Sequence, residues 1–204
     1  MHFITHNHRY ANLLVANDND FINDYNELTK VISDISDKEL INSFKARKLV
    51  RASTKSLSEP INQILGDRLI HKGWSAESGL FKEPPYNSGN RSRWRLDFAK
   101  NYISIEVAFN HQEATAHNIM KPVLASELNH VKKEIQTKLG IIIVATKDLK
   151  KAGNFDSAIG TFEKFQEYFK PYHNLITTPI VLIGLEPPET FFIDKKTKNV
   201  TLIK

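Results

Sequence analysis

Cysteine is absent from the 204 residues of this chain. Its absence excludes disulfide bonds, thiolate chemistry and zinc sites with cysteine ligands. Long apolar runs are also missing, since none approaches the roughly 20 residues that a membrane-spanning helix needs. The N-terminus lacks the basic segment and apolar core that are typical of a signal peptide. We therefore expect a cytoplasmic protein with no membrane partner.

Charge and composition are those of an ordinary globular protein with a modest basic excess. Hydrophobic residues make up 41% of the chain and charged residues 25%, which is typical of a soluble fold. The length suits a single domain over residues 1–204. Lys and Arg total 28 against 23 acidic residues, which gives a net charge of +5. This excess permits binding to a polyanion such as DNA but does not establish it.

Hydrophobic periodicity predicts an α/β architecture in which helices flank a central mixed β-sheet. The uniformly apolar runs 140–145 and 178–184 favour strands that are buried on both faces. Shorter alternating segments at 94–99 and 102–109 predict a β-hairpin. The other predicted elements are two helices within 18–48, helices at 58–72, 112–138 and 156–169, a loop at 82–93, and a terminal hairpin of 191–194 with 200–203.

Two acidic residues, Asp97 and Glu106, lie near the ends of the two strands of the hairpin at about 94–109. Both carboxylates can face one side and share a divalent metal, and the backbone carbonyl of Val107 can add a further oxygen. Mg²⁺ prefers such oxygen ligands, polarises phosphates and lowers the pKa of bound water. The spacing fits a metal-dependent nuclease. It also fits two structural carboxylates that are solvated or paired with Lys100 or Arg95.

Position 108 is the unusual feature of this hairpin. Ala108 follows Glu106 by two residues, so its side chain points the same way along the strand. A polar side chain at this place would orient or deprotonate the attacking water in a nuclease. The methyl group of alanine can do neither.

The hairpin sequence LDFAKNYISIEVAFN resembles the active-site hairpin of the type II restriction endonucleases of the BglII, BstYI and BamHI group, within the PD-(D/E)xK nuclease superfamily. The same interval separates the two metal-binding acids in the BglII and BstYI members of the group, and the segment after the hairpin also resembles the BamHI member. Further segments of the chain resemble segments of these enzymes and occur in the same order. The resemblance therefore spans roughly residues 59–185. These segments are 60–65, 72–74, 114–120, 161–169 and 178–184.

The resemblance implies a restriction-endonuclease-like fold and assigns roles to the hairpin. Asp97 and Glu106 would be metal ligands, with the carbonyl of Val107, and Mg²⁺ would be the cofactor. Glu77 falls where BamHI has an auxiliary active-site glutamate, although a solvated surface acid is an equal alternative. The protein would be a prokaryotic homodimer that acts on double-stranded DNA.

Position 108 departs from the pattern of the group, which carries Glu or Gln there, and from that of the wider superfamily, which usually carries Lys. One explanation is an alanine substitution that impairs catalysis, so that Ala108 marks an inactivated active-site position. The other is that a different residue takes the role, with Glu113, His111 or Glu77 as candidates. The first is favoured, because Glu106 and its flanking residues otherwise fit the group.

Two segments are candidates for reading DNA bases, because their polar side chains suit base edges in the major groove. By resemblance, both lie where BamHI contacts bases. Helix capping by Asn110 or Thr115 is the structural alternative. Arg91 and Arg93 are candidates for phosphate contacts, and the structural alternative for each basic residue alone is a solvated surface side chain. The candidate base readers are Asn110, His111, Gln112, Thr115 and Asn118 in the first segment, and Asn154, Asp156 and Ser157 in the second.

The sequence therefore indicates a Mg²⁺-dependent type II restriction endonuclease. It would hydrolyse phosphodiester bonds in a short palindromic site and leave 5′-phosphates and a 5′ overhang. The alternative is a sequence-specific DNA-binding protein with a decayed nuclease site, for which Ala108 is the evidence. A third class, a globular domain that uses the acid pair structurally, predicts no selective DNA binding.

Overall fold

A computed structural model describes residues 1–87, 94–128 and 130–203 of the chain. Four helices follow the first strand, and the remaining strands and helices come after them along the chain. The strands are β1 (Phe3–His8), β2 (Ser75–Gly79), β3 (Arg95–Lys100), β4 (Ile103–Val107), β5 (Leu139–Ala145), β6 (Ile180–Leu185), β7 (Phe191–Ile193) and β8 (Val200–Leu202). The α-helices are α1 (Ala11–Asn17), α2 (Asn19–Ser33), α3 (Asp37–Val50), α4 (Ser58–His71), α5 (Thr115–Ser126), α6 (Lys147–Ala152) and α7 (Phe162–Phe169).

The centre of the molecule is a six-stranded mixed sheet in the order β1-β6-β5-β4-β3-β2. Strands β4, β5 and β6 are parallel neighbours, whereas β1, β3 and β2 run antiparallel to the strands beside them. The residues of β5 and β6 are buried along their whole length, which confirms the prediction from their uniformly apolar sequences. The predicted terminal hairpin is also present, as the separate pair β7-β8.

Helices cover both faces of this sheet, as the predicted fold class requires. On one face, Ile141 and Ile143 of β5 belong to an apolar cluster with residues of α1 to α4. On the other face, Ile142 and Val144 belong to a second cluster with residues of α5 and α7. Glycine makes the approach of α5 possible, because a Cβ atom at Gly140 would lie 2.5 Å from Cβ of Pro122.

The predicted helix at 112–138 is wrong in its second half. The α-helix ends at Ser126, and Glu127 after it has an extended backbone. The predicted helix at 156–169 is wrong in its N-terminal part, because helix α7 begins only at Phe162. Before it, the Asp156 side chain accepts the backbone N–H of Ala158 at 2.9 Å and so favours a turn over a helix.

The sequence prediction also omitted two strands and two helices. Strand β1 was missed because its sequence FITHNH is largely polar, which an edge strand tolerates. Strand β2 is only five residues long and contains Glu77 at a φ of 51°. Helices α1 and α6 are seven and six residues long, too short for a clear helical period. No helix within the described ranges is long and apolar enough to cross a membrane.

Candidate active site

The hairpin of β3 and β4 holds the two predicted acids. Its register pairs Phe98 with Ile105, and extending it by one residue brings Asp97 opposite Glu106. The turn is tied to α2 by Lys100, the last residue of β3, and by Asn101, which follows it. Lys100 binds Glu27 Oε1 at 2.8 Å, and Asn101, at a φ of 48°, donates its amide to Asp24 at 2.7 Å. Lys100 therefore neutralises α2 acids rather than the acids of the hairpin.

The two hairpin carboxylates are held by hydrogen bonds, and of the two Asp97 is half-buried and Glu106 is buried. Oδ2 of Asp97 accepts the backbone N–H of Val107 at 2.7 Å. Glu106 is only 2% exposed, and its Oε2 accepts a hydrogen bond from Nζ of Lys121 at 2.6 Å. Its other oxygen, Oε1, is buried and has no hydrogen-bond partner among the described residues. The hairpin thus presents a desolvated carboxylate oxygen that still lacks a donor or a cation.

The electrostatics of the pair show a shortage of positive charge. Burial raises the pKa of Asp97, and the Val107 N–H and the Lys121 ammonium oppose this. Burial and then the negative charge of Asp97 raise the pKa of Glu106 to about 8, again against the effect of Lys121. A cation close to both acids would stabilise the charge of Glu106, which burial and Asp97 disfavour.

A hard divalent cation fits this set of donors. Asp97 and Glu106 supply carboxylate oxygens, and Val107 follows Glu106 in the chain and donates its N–H to Asp97. Mg²⁺ usually takes one or two protein carboxylates and completes its shell with water and substrate phosphate. Over the described part of the chain, no group of three His, Cys, Asp or Glu residues is close enough to hold a metal. The fit therefore depends on the two carboxylates and the unpartnered Oε1 of Glu106.

Glu77 lies at the same cleft as Asp97. The β2-β3 register pairs Ala76 with Phe98 and Ser78 with Leu96, which places Glu77 opposite Asp97. A cleft of about 340 Å³ is lined by Glu77, Asp97, Val107 and residues of α4. The Glu77 carboxylate is 67% exposed and lies 3.4 Å from the Arg95 guanidinium. Its left-handed backbone is uncommon for a residue other than glycine, and such strain occurs often at functional sites.

Ala108 lies inside the apolar layer between the sheet and its covering helices. It is 2% exposed and belongs to the same cluster as Ile119, Ile142 and Phe165. Its backbone N–H donates to the Ile143 carbonyl at 2.8 Å and continues the pairing of the strands. The position is therefore a packed end of β4 with no polar atom in its side chain.

The two segments that were predicted to read bases are neighbours in the structure. The backbone N–H of Gln112 donates to the Ala158 carbonyl at 2.7 Å, and His111 forms a β-bridge with Ile159. The rings of Phe109 and Phe155 meet edge to face at 5.3 Å. These contacts merge the segments 110–112 and 156–157 into one surface, which we call the recognition surface.

The predicted base readers separate into exposed and buried groups. Thr115 and Asn118 are 1% and 2% exposed, because α5 packs this side against the sheet. Asn118 instead donates its amide to Oδ1 of Asn110 at 2.8 Å, and Asn154 donates to the Lys55 carbonyl at 2.6 Å. Arg91 and Arg93 lie outside the described residues. The exposed predicted readers are Asn110, His111, Gln112, Asp156 and Ser157.

Lys121 is the site residue that the sequence prediction missed. Its side chain is only 14% exposed and ends at Glu106. A signal was present in the sequence: Lys121 interrupts the apolar run Ile119-Met120-Lys121-Pro122-Val123 of a helix that follows the acidic hairpin. A lone lysine within such a run needs a buried partner.

A family model described as restriction endonuclease BglII/BglIII matches residues 3–185. The chain belongs to the BglII family of restriction endonucleases. Members of this family are type II, site-specific deoxyribonucleases, so the predicted enzyme class is confirmed. No curated protein matches the chain.

Solved structures of BglII share the fold of this family member. BglII complexed with a DNA 16-mer matches with a TM-score of 0.66 and 19% identity, over 98% of this chain and 87% of that one. Free BglII matches with a TM-score of 0.54 and 14% identity, over 100% of this chain and 91% of that one. At such low identity the likeness establishes the fold alone and confirms the predicted restriction-endonuclease-like architecture.

Proposed function

We propose that the protein is a Mg²⁺-dependent homodimer that cleaves each strand of a short palindromic DNA site and leaves 5′-phosphates and a 5′ overhang. One observation carries the proposal. The Asp97–Glu106 hairpin holds one half-buried and one buried carboxylate, with a Glu106 oxygen that has no partner among the described residues, at the end of the segment that leads into the recognition surface. The family membership of the chain and its net charge of +5 support DNA as the substrate.

The chemistry follows from what the hairpin holds in place. When bound, Mg²⁺ would polarise the scissile phosphate and make a water more acidic. Asp97 and Glu106 would hold it together with the Val107 carbonyl, and the Val107 N–H fixes the orientation of the Asp97 carboxylate. A water oxygen adds to phosphorus, and the bond from phosphorus to the 3′ oxygen breaks. One proton of the water passes to solvent and the 3′ oxygen gains a proton, which leaves a 3′-hydroxyl and a 5′-phosphate.

Base recognition is assigned to the exposed side chains of the recognition surface. Amides of Asn110 and Gln112 suit adenine, and the carboxylate of Asp156 suits the amino group of cytosine. The hydrogen bond that Asn118 donates fixes the position of the Asn110 amide. The buried Asn118 therefore orients a side chain that contacts the bases, without contacting them itself. Two such surfaces in a two-fold dimer would read the two halves of a palindrome.

A decayed nuclease that still binds a specific site is the second candidate, and Ala108 is the observation that favours it. An enzyme impaired at position 108 is a related possibility. Both predict selective binding without cleavage by the chain as it stands. They differ in one result, because only the impaired enzyme gains cleavage when Ala108→Glu, Ala108→Gln or Ala108→Lys restores a polar side chain.

The test begins with a duplex selected from a randomised library in Ca²⁺, which would occupy the hairpin without supporting turnover. The selected duplex is then incubated with Mg²⁺ and either the unaltered protein or the Asp97→Asn variant. We expect the unaltered protein to cut the duplex at specific positions and Asp97→Asn to cleave it at least about 100-fold more slowly. Asp34→Asn, which alters a surface ion pair with Lys30, serves as a matched control. Equal cleavage by Asp97→Asn would contradict the assignment of the hairpin.

A further inference from the structure

The active site contains a cation that the strand pattern did not predict. Nζ of Lys121, on α5, lies 2.6 Å from Oε2 of Glu106, and its charge also acts on Asp97. Burying a lysine side chain is costly unless a partner compensates it. Here the partner is a proposed metal ligand.

Of the residues that the sequence suggested as substitutes for position 108, only Glu77 lies at the acid pair, in the cleft beside Asp97, whose pKa its negative charge raises. The Glu113 side chain is 88% exposed and lies beside His111, at 3.6 Å. Glu77 lies beside Arg95. Among the contacts of the described residues, none of these three forms a hydrogen bond or ion pair with Asp97 or Glu106. Lys121 does contact Glu106.

Helix packing holds Lys121 in this position. The next residue, Pro122, packs against Gly140 of β5, and Asn118, one turn earlier, is bonded to Asn110. The helix is therefore fixed to the sheet on both sides of the lysine. A side chain anchored in this way is pre-organised, which is what stabilisation of a charged transition state requires.

We propose that Lys121 supplies the positively charged active-site group that position 108 lacks. The inference rests on the proposed metal-dependent cleavage. As a phosphodiester is attacked, negative charge grows on the phosphate oxygens, and an ammonium with three N–H donors can stabilise it while remaining close to Glu106. Ala108 is then a normal packing residue of this protein, and the chain as it stands cleaves DNA.

The experiment compares unaltered protein with Lys121→Met, which keeps the apolar stem and removes the charge. Single-turnover cleavage of the selected duplex should fall by about 100-fold, while binding of that duplex in Ca²⁺ is retained. Lys121→Arg keeps the charge and should retain more activity than Lys121→Met. Lys164→Met, which breaks a surface ion pair with Glu167, is the matched control and should cleave normally.

Calcium affinity gives a readout that does not depend on turnover. Removing the ammonium beside Glu106 should tighten Ca²⁺ binding, measured by calorimetry without DNA, by about tenfold. An unchanged Ca²⁺ affinity in Lys121→Met would show that the ammonium does not act on the metal site, and this result would overturn the proposal.

Cleavage results separate the failure of this inference from failure of the proposed function. If Lys121→Met cleaves as fast as the unaltered protein, the role of Lys121 is refuted and the nuclease function stands. If only a variant at position 108 cleaves, the chain is an impaired enzyme and the role of Lys121 is again refuted. If a palindrome is selected but no protein cuts it, both the inference and the nuclease proposal fail.

Discussion

At the scale of single residues, Glu106 makes the stability of the metal-free protein depend on pH. Its pKa rises from 4.5 to about 8 on folding, so the folded state binds this proton more tightly than the unfolded state. The associated stability is complete below about pH 4.5 and is lost as the pH rises through about 8. A buried charge therefore destabilises the protein in alkaline solution until a cation compensates it.

We predict that Glu106→Gln flattens this dependence. In the presence of a chelator, thermal unfolding of the variant should vary less between pH 4.5 and about 8 than that of the unaltered protein. Above that range the variant should melt higher, by on the order of 5 °C. Glu167→Gln, at an exposed ion pair, is the control. Parallel melting curves for Glu106→Gln and unaltered protein across this range would show that Glu106 is not desolvated.

Base recognition at the recognition surface also depends on one buried side chain, that of Asn118. Asn118→Ala removes the donor that orients Oδ1 of Asn110, although Asn118 itself cannot reach DNA. We predict that the selected duplex binds more weakly to this variant and that one base pair of the site becomes less restricted, at a cost of about 1–3 kcal/mol. Repeating the library selection with the variant measures this change. An unchanged site would assign Asn118 to packing alone.

At the scale of elements, the approach of α5 to β5 positions Lys121. A methyl group at Gly140 would lie 2.5 Å from Pro122, and relieving this overlap would shift the helix. We predict that Gly140→Ala destabilises the protein by about 1–3 kcal/mol and slows cleavage more than it weakens DNA binding. Gly79→Ala, where a Cβ meets nothing within 4 Å, is the control. Unchanged unfolding and cleavage for Gly140→Ala would contradict this view of the interface.

The features that could be predicted from the sequence are those whose residue pattern lies within a single strand or hairpin. The hairpin around Asp97 and Glu106 and the apolar strands β5 and β6 follow from local patterns. The length of α5 did not follow, because the polar stretch after Ser126 still contains apolar residues at helical spacing. The meeting of the two recognition segments depends on a long-range bridge, from His111 to Ile159, and Lys121 meets Glu106 only through helix packing. Neither contact is encoded in the local sequence.

At the scale of the whole molecule, a two-fold dimer predicts one active site for each DNA strand. Mixed dimers with one Asp97→Asn subunit should therefore nick a supercoiled plasmid that carries the selected site, whereas unaltered dimers make it linear. Gel electrophoresis of the products during the reaction distinguishes the two forms. If mixed dimers produced linear DNA as fast as unaltered dimers do, one subunit would be able to cut both strands. This result would contradict the prediction that each subunit cleaves one strand.

The most direct test of the account is cleavage of the selected duplex by the unaltered chain in Mg²⁺, with sequencing of the ends. We predict an enriched palindrome that is cut in both strands at fixed positions, with 5′-phosphates, and not cut in a chelator. Enrichment without cleavage would indicate a DNA reader whose nuclease site is inactive at Ala108. No enrichment at all would contradict the proposed recognition of a specific site.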